Sequence, residues 1–222
     1  MILAIDTSTQ WMGLALFDGW QILYEKIWRT SRRHTVELVP AIQTAMAETG
    51  LEAKALKAVG IALGPGSFTS LRIGLAVAKG LALSLRIPMI GIPSLEITAN
   101  GLALSDNPMM AMLKAGRDRL AVQRYQPGDN AWAAEGEIFM ASALELEDMI
   151  TSPTILIGEI NQEERRILER RWRNALIASP AENSRRPSIL AQLAWKQLET
   201  GLVDDTASLA PIYVHTIGTP AD

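Results

Sequence analysis

Residues 64–74, GPGSFTSLRIG, constrain the fold more than any other stretch of this chain. They follow a short apolar run, Val59 to Leu63, and open a long apolar helical pattern, Leu71 to Leu85. The pattern predicts a strand, a tight turn and a helix start in immediate succession. Gly64 and Gly66 carry no Cβ and so permit close approach of another group. Ser67 or Thr69 can cap the helix. Free backbone N–H groups at such a start attract anions, yet a strand-to-helix turn needs glycine and a capping hydroxyl in any α/β fold. An anion site at Gly66, Ser67 and Thr69 and a purely structural turn both fit these residues.

The order of elements around this turn narrows the fold. Met1 to Thr7 is apolar and β-rich, and Trp11 to Phe17 follows after Ser8-Thr9-Gln10. Asp18-Gly19 is a two-residue hairpin signal, and Trp20 to Trp28 resumes the strand pattern. Leu38, Ile42, Ala45, Met46 and Thr49 recur at helical spacing, Thr35 is the expected cap and Gly50 the stop. Pro40 is expected to bend the first turns of this helix or to delay its start to near Val39. A buried strand at Val59–Leu63, a helix at Ser70–Leu85 ended by Pro88, a strand at Met89–Ile92 and a helix capped by Ser94 and running toward Leu104 complete a β-β-β-α-β-α-β-α order. Such an order predicts a mixed sheet flanked by helices, as in the ribonuclease-H-like and actin/hexokinase-like folds.

Residues 1–104 therefore read as an N-terminal lobe, and Ser105-Asp106-Asn107-Pro108 as its boundary. Residues 105–186 are expected to form a smaller second lobe. Its strands are predicted at Met109–Lys114, Leu120–Tyr125, Glu135–Met140 and Ile155–Gly158, with a short helix at Ala143–Ile150. Asn161–Trp172 reads as a helix with a solvated charged face. The helix near 187–200, amphipathic over Ile189–Leu198, is expected to pack back on the first lobe. No internal repeat is visible.

Several chemistries are excluded by what the chain lacks. It has no cysteine, hence no disulfide, thiol nucleophile or cysteine–zinc site. Its two histidines, His34 and His215, do not form an i, i+4 pair, so a histidine-bridged metal site is not expected. G-P-G-S-F is not the G-x-S-x-G elbow of a serine hydrolase. A ribonuclease-H-like nuclease needs carboxylates converging on metal ions; Asp6 is suitably placed, but the fourth strand ends in Leu63-Gly64 rather than an acid. The net charge of −3 provides no strong drive to grip nucleic acid alone. The start, MILAIDTSTQ, has no basic leader pattern. The apolar region Ile73–Ile92 is broken by Gly74, Lys79, Gly80, Arg86 and Pro88, so a buried helix plus strand is expected, and a cytoplasmic location.

Two features leave alternatives open. The loop Asp6–Gln10 has hydroxyls but no glycine, so Thr7 and Ser8 either tie a turn through side-chain hydrogen bonds or meet a phosphate. With Ser8, Gly66, Ser67 and Thr69 as phosphate candidates, one reading is a stand-alone nucleotide-binding enzyme of the actin/hexokinase-like fold. Otherwise no cofactor is required, and nucleotide binding is expected to be weak. Gly74, Ala78 and Ala82 recur every four residues, a strip that admits another helix closely, from this fold or from a partner chain. Gly80 costs the same helix about 1 kcal/mol relative to alanine.

Ile5-Asp6-Thr7-Ser8, GPGSFTSLRIG, Pro93-Ser94-Leu95 and Pro211-Ile212-Tyr213-Val214 together resemble the TsaB (YeaZ) family. The chain departs from the family pattern at Ser70, where GPGSFTGLRIG has glycine, at Lys114, where aspartate is usual, and at His215, where arginine is common. The resemblance implies a two-lobed actin/hexokinase-like fold and a role in bacterial tRNA modification, in making threonylcarbamoyladenosine. It implies a non-catalytic accessory subunit that pairs with the catalytic paralogue TsaD, works with the ATPase TsaE, meets tRNA only through the complex and self-associates as a homodimer. The family also carries an old peptidase label, against which the missing histidine pair speaks. On this reading the first two helices meet TsaD or a second copy, with Leu38, Ile42, Ala45, Met46, Gly74, Ala78 and Ala82 as expected contacts.

Overall fold

A computed structural model describes residues 1–116 and 119–214. Within them the chain divides into two compact units, one formed by Met1–Ile97 with Arg186–Ile212 and one built on Thr98–Arg185. His215, Arg117 and Asp118 lie outside the described residues.

The first unit opens with a meander: β1 (Ile2–Asp6), β2 (Trp11–Phe17) and β3 (Ile22–Arg29), then α1 (His34–Glu48), β4 (Ala58–Ala62), α2 (Phe68–Leu85), β5 (Met89–Ile92) and α3 (Ser94–Ala99). Its sheet has the order β3-β2-β1-β4-β5. β1 pairs antiparallel with β2 and parallel with β4, and β4 runs parallel to β5. Alternation along the strands divides the core. Leu3, Ile5, Leu14, Leu16, Val59, Ile61 and Met89 face α1 and α2, whose Leu38, Ile42, Ala45, Leu75, Ala78 and Ala82 join them in one cluster. Ile2, Ala4, Ala15, Phe17, Ala58, Ala62, Ile90 and Ile92 face the other way, onto α6 (Pro187–Glu199) through Leu190, Ala191 and Ala194. A strand buried on both faces reads as a continuous apolar run rather than an alternating one, as Ile2–Ile5 does.

Local chemistry departs from expectation at four places. Asp18–Gln21 form a longer hairpin turn than the two residues expected, because the Asp18 carboxylate accepts from both the Trp20 and Gln21 N–H groups at 2.7 and 2.6 Å. Thr35 lies inside α1 and Arg33 precedes the helix without a side-chain cap. Pro40 is held within α1 rather than delaying it, and it faces solvent. The third helix stops at Ala99, short of Leu104.

The second unit repeats the topology. β6 (Met109–Lys114), β7 (Leu120–Pro127) and β8 (Trp132–Ala141) form a meander, followed by α4 (Ala143–Met149), β9 (Thr154–Gly158), α5 (Gln162–Leu168) and β10 (Ala175–Ile177). The sheet order β10-β9-β6-β7-β8, with β6 parallel to β9 and antiparallel to β7, is the arrangement of the first unit over again. No sequence similarity announces this repeat. Met110, Met112, Val122, Leu156, Leu146 and Leu168 form its core against α4 and α5. Both helices start on full capping boxes, Ser142 with Glu145 and Asn161 with Glu164. Lys114 pairs with the Glu164 carboxylate.

Candidate functional site

The carboxyl ends of β1 and β4 lie side by side in the first unit, where α/β sheets place their ligands. The loop after β1 and the turn after β4 meet there, and their polar groups bond to each other. The Ser67 N–H donates to the Ser8 carbonyl at 2.7 Å. The Thr7 hydroxyl donates to the Ser70 carbonyl at 2.8 Å. Ser8 and Ser94 share a hydroxyl–hydroxyl bond of 2.6 Å, and the Ser94 hydroxyl also accepts the Gly64 N–H at 3.0 Å. The Asp6 carboxylate accepts the Ser8 N–H at 2.8 Å. A His34 ring nitrogen bonds the Thr9 carbonyl at 2.9 Å, tying the start of α1 to the same loop.

Two glycines make this closure sterically feasible. A Cβ on Gly66 would lie 2.1 Å from the Ser8 carbonyl oxygen, and one on Gly74 would lie 2.1 Å from the Thr7 hydroxyl oxygen. Neither distance is tolerable to a real side chain, so the turn packs on the Ser8 backbone at Gly66, and the Thr7 side chain lies on the α2 backbone at Gly74, only because both positions are glycine.

These contacts locate the phosphate candidates. Ser8 is fully buried, with its N–H, carbonyl and hydroxyl all bonded inside the protein. Gly66 is half-buried and pressed against the Ser8 carbonyl. Ser67 and Thr69 are exposed. Ser67 occupies the cap position of α2 without capping it; its hydroxyl accepts from the Ser70 hydroxyl at 2.9 Å. The serine that stands in place of the family glycine thus makes a local hydrogen bond. Of the residues that knit the loops together, the sequence leaves Thr7 open between tying a turn and meeting a phosphate and reads Ser94 only as a helix cap. Their signal was present in the side-chain chemistry of Ile5-Asp6-Thr7-Ser8 and Pro93-Ser94-Leu95.

The expected partner contacts need correction. Leu38, Ala45 and Ala78 are completely buried, Ala82 and Ile42 nearly so, Gly74 lies under Thr7, and Met46 packs against the same cluster. The seven residues form the inward faces of α1 and α2, because the strongest helical periodicity marks the side that meets the chain's own sheet. The outward faces carry Val36, Val39, Pro40 and Gln43 on α1 and Ala76, Gly80 and Leu83 on α2. Val36 is 55% exposed, Val39 44% and Leu83 69%. A Cβ on Gly80 would meet nothing within 4 Å. Beside them, Lys26, Trp28, Val36, Glu37 and Pro40 line an open groove between β3 and α1. The Trp28 indole N–H, 3.0 Å from Glu37, and the Thr30 hydroxyl hold the Glu37 carboxyl below the usual range.

Among the described residues, no three histidine, aspartate or glutamate side chains gather closely enough to hold a metal ion. Burial pushes the Glu96 carboxyl on α3 above the ordinary glutamate range. One described helix, α2, has the length and apolar composition of a membrane span. Its Leu71, Leu75, Ala78 and Ala82 are buried, three of them in the core beneath α1.

Known proteins match this arrangement. The model of the family described as TsaD, tRNA N6-adenosine threonylcarbamoyltransferase, matches residues 28–166. The tRNA threonylcarbamoyladenosine biosynthesis protein TsaB of Bacillus subtilis is 31% identical over 218 residues, spanning 94% of each chain. YeaZ from Pseudomonas aeruginosa shares the fold at a TM-score of 0.79 and 22% identity, over 96% of this chain and 99% of that one. The ROK hexokinase from Thermus thermophilus shares it more distantly, at a TM-score of 0.51 and 12% identity, over 90% and 99%. The fold is therefore actin/hexokinase-like, and the extent of identity with the Bacillus protein assigns the chain to the TsaB (YeaZ) family of tRNA threonylcarbamoyladenosine biosynthesis proteins.

Proposed function

We propose that this chain is a non-catalytic accessory subunit in the formation of threonylcarbamoyladenosine on tRNA, acting in the cytoplasm. It pairs through the outward faces of α1 and α2 with a TsaD-like catalytic paralogue and works alongside a TsaE-like ATPase. In the absence of the paralogue the same faces meet a second copy of the chain. The observation that carries this reading is the closure of the loop after β1 onto the turn after β4. Groups that would otherwise meet a nucleotide phosphate bond to one another: Ser8 through all three of its polar groups, Ser67 through its N–H, Thr7 through its hydroxyl. Meanwhile Val36, Val39 and Leu83 stand roughly half exposed on two adjacent helices, where completing their burial against a partner would be worth about 1 kcal/mol for each side chain.

The test is co-expression with the TsaD-like paralogue followed by size-exclusion chromatography. The wild-type pair should co-elute, whereas Val39→Asp with Leu83→Asp should separate it while the variant's own unfolding temperature stays within about 2 °C of wild type. Co-elution of the double variant at wild-type ratio would overturn the interface. Micromolar binding of ATP and magnesium with turnover by the isolated chain would instead support a stand-alone nucleotide-binding enzyme.

A further inference from the structure

β3 ends the sheet of the first unit, and among the described residues no strand pairs with its outer side. The Thr30 N–H donates to the Gln10 carbonyl at 2.8 Å. Bonded pairs alternate along an antiparallel ladder, and the register puts Trp28 with Met12, Lys26 with Leu14 and Tyr24 with Leu16 in the same set. Those residues direct their backbone groups to β2, so Glu25, Ile27 and Arg29 turn their N–H and carbonyl groups outward. The side chains of Glu25, Ile27 and Arg29 lie on the α6 side of the sheet, where Glu25 meets Arg186 and Ser188. Those of Lys26 and Trp28 lie on the α1 side.

Other edges of the molecule are guarded. Across the same sheet Asp204 closes β5: its N–H donates to the Met89 carbonyl at 3.0 Å, and its carboxylate accepts the Gly91 N–H at 2.7 Å. In the second unit β8 exposes Glu135 and Glu137, and β10 is cut to three residues. Proteins prevent strand addition by such devices. β3 has eight residues and, among the described residues, nothing that closes it. Instead the groove of Lys26, Trp28, Val36 and Pro40 runs open beside it, against α1. Trp28 is half-buried there, with its indole N–H on Glu37 and the Lys26 ammonium 5.5 Å from its ring centre, so it serves as apolar wall rather than as a free ring face.

Charge selects the occupant. From Ile22 to Glu37 the chain carries Lys26, Arg29, Arg32 and Arg33, all exposed, against Glu25 and Glu37. Glu25 is already matched by Arg186. Arg29 bonds the neutral Gln10 amide, and Arg33 meets Glu37 only at 3.9 Å with its own side chain 70% exposed, a pairing that neutralises little. The edge is cationic in a chain of net charge −3. A second copy would bring the same excess of positive charge to it. We propose that β3 is the docking edge for an extended acidic segment of a partner protein, bound by strand addition. Main-chain hydrogen bonds run to Glu25, Ile27 and Arg29. Apolar side chains enter the groove against Trp28, Val36 and Pro40, and carboxylates meet Arg29 on the opposite face and Arg32 and Arg33 past the end of the strand. Val36 and Pro40 also belong to the outward face of α1, so the test uses the isolated chain without the paralogue.

The probe is a fluorescein-labelled nonapeptide of alternating valine and glutamate, with binding to the full chain read by anisotropy. With valine in the groove, the glutamates stand opposite Glu25, Ile27 and Arg29 and exchange both main-chain bonds with them. N-methylation of the glutamates should therefore weaken binding at least about 10-fold, whereas N-methylation of the valines should leave it within about 2-fold. A valine–lysine peptide should bind at least about 10-fold more weakly than the glutamate one. R29Q/R32Q/R33Q should lose at least about 10-fold, and K54Q/K57Q/K196Q, with the same change in net charge, should stay within about 2-fold of wild type. Should the arginine variant fail to fold by circular dichroism, the two methylated peptides decide on the wild-type chain. Equal effects of the two methylation patterns, unchanged affinity in the folded arginine variant, or no binding up to about 1 mM would overturn the proposal. So would self-association of the chain that the glutamate peptide reverses, which would assign the edge to a second copy.

Discussion

Replacing Gly74 with alanine tests the closure of the loop after β1 directly, because the structure predicts that the effect changes sign with the residue at position 7. In the wild-type chain the new methyl would lie 2.1 Å from the Thr7 hydroxyl oxygen and 3.1 Å from its methyl carbon. Thr7 is fully buried, and its hydroxyl donates to the Ser70 carbonyl at 2.8 Å. Either Thr7 turns away and loses that bond, which costs about 1–3 kcal/mol, or the loop moves, an overpacking cost of similar size. Alanine gains about 1 kcal/mol over glycine within a helix, so Gly74→Ala should destabilise by about 0–2 kcal/mol, centred near 1. In a Thr7→Ala background the hydroxyl and methyl are gone and the nearest remaining atom of residue 7 is Cβ at 3.2 Å. There the helix gain should survive, leaving Gly74→Ala neutral or stabilising by up to about 1 kcal/mol. The coupling is then about 2 kcal/mol, within the range of touching residues. Urea unfolding of the four proteins measures it. If Gly74→Ala costs the same in both backgrounds, within about 0.3 kcal/mol, the steric argument is wrong.

Ala78→Arg places a guanidinium in a fully buried site beneath α1 and should abolish cooperative thermal unfolding, in contrast to Val39→Asp on the outward face. Ser94→Ala leaves both the Ser8 hydroxyl and the Gly64 N–H without the partner they share; it should cost about 2–3 kcal/mol in urea unfolding, more than Ser8→Ala. Glu25 accepts from Arg186 and from the Ser188 N–H at 3.0 Å, capping α6 from β3. Burial raises its carboxyl, but Arg186 and Ser188 outweigh burial and hold it below the ordinary range. A depressed carboxylate stabilises above its unfolded pKa and loses that contribution as pH falls through the folded one. Glu25→Gln should therefore be less stable than wild type by about 1–2 kcal/mol at pH 7, with the difference closing as the pH drops below about 4.

The sequence made the first unit legible because its strands and helices carry apolar runs bounded by strong punctuation. Asp6 to Gln10, Gly50, GPGS and Pro88 each end an element or open the next. The second unit was harder to read. β8 extends from Trp132, earlier than its strand-forming residues suggest, since Ala133-Ala134-Glu135-Gly136 has little β-propensity. The register shift at Val122/Arg124 is stabilised by the Gln123 side chain, which donates to the Glu135 and Gly136 carbonyls. β10 is too short, at Ala175–Ile177, to show a period. At the site, the residue types were visible and their use was not. Helical periodicity picked Leu38, Ile42, Ala45 and Ala78 out, yet a periodic apolar stripe marks whichever surface is most buried, and here that is the chain's own sheet. The outward-facing residues proposed to meet a partner, such as Val39, Gly80 and Leu83, leave a fainter pattern. Hydroxyl-rich loops likewise look the same whether they bond a ligand or one another; only the 2.1 Å approach implied at Gly66 and Gly74 separates the two.

The central claim is that this chain supports threonylcarbamoyladenosine formation through its outward helical surface rather than through chemistry at its loops. Mass-spectrometric quantification of that nucleoside in tRNA tests it, in a bacterial strain depleted of its own TsaB-family protein and supplied with variants of this one. The account predicts that wild type restores the modified nucleoside, while Val39→Asp with Leu83→Asp does not, although it is folded and abundant. Full restoration by the helix-face variant, or none by the wild-type chain, would contradict it.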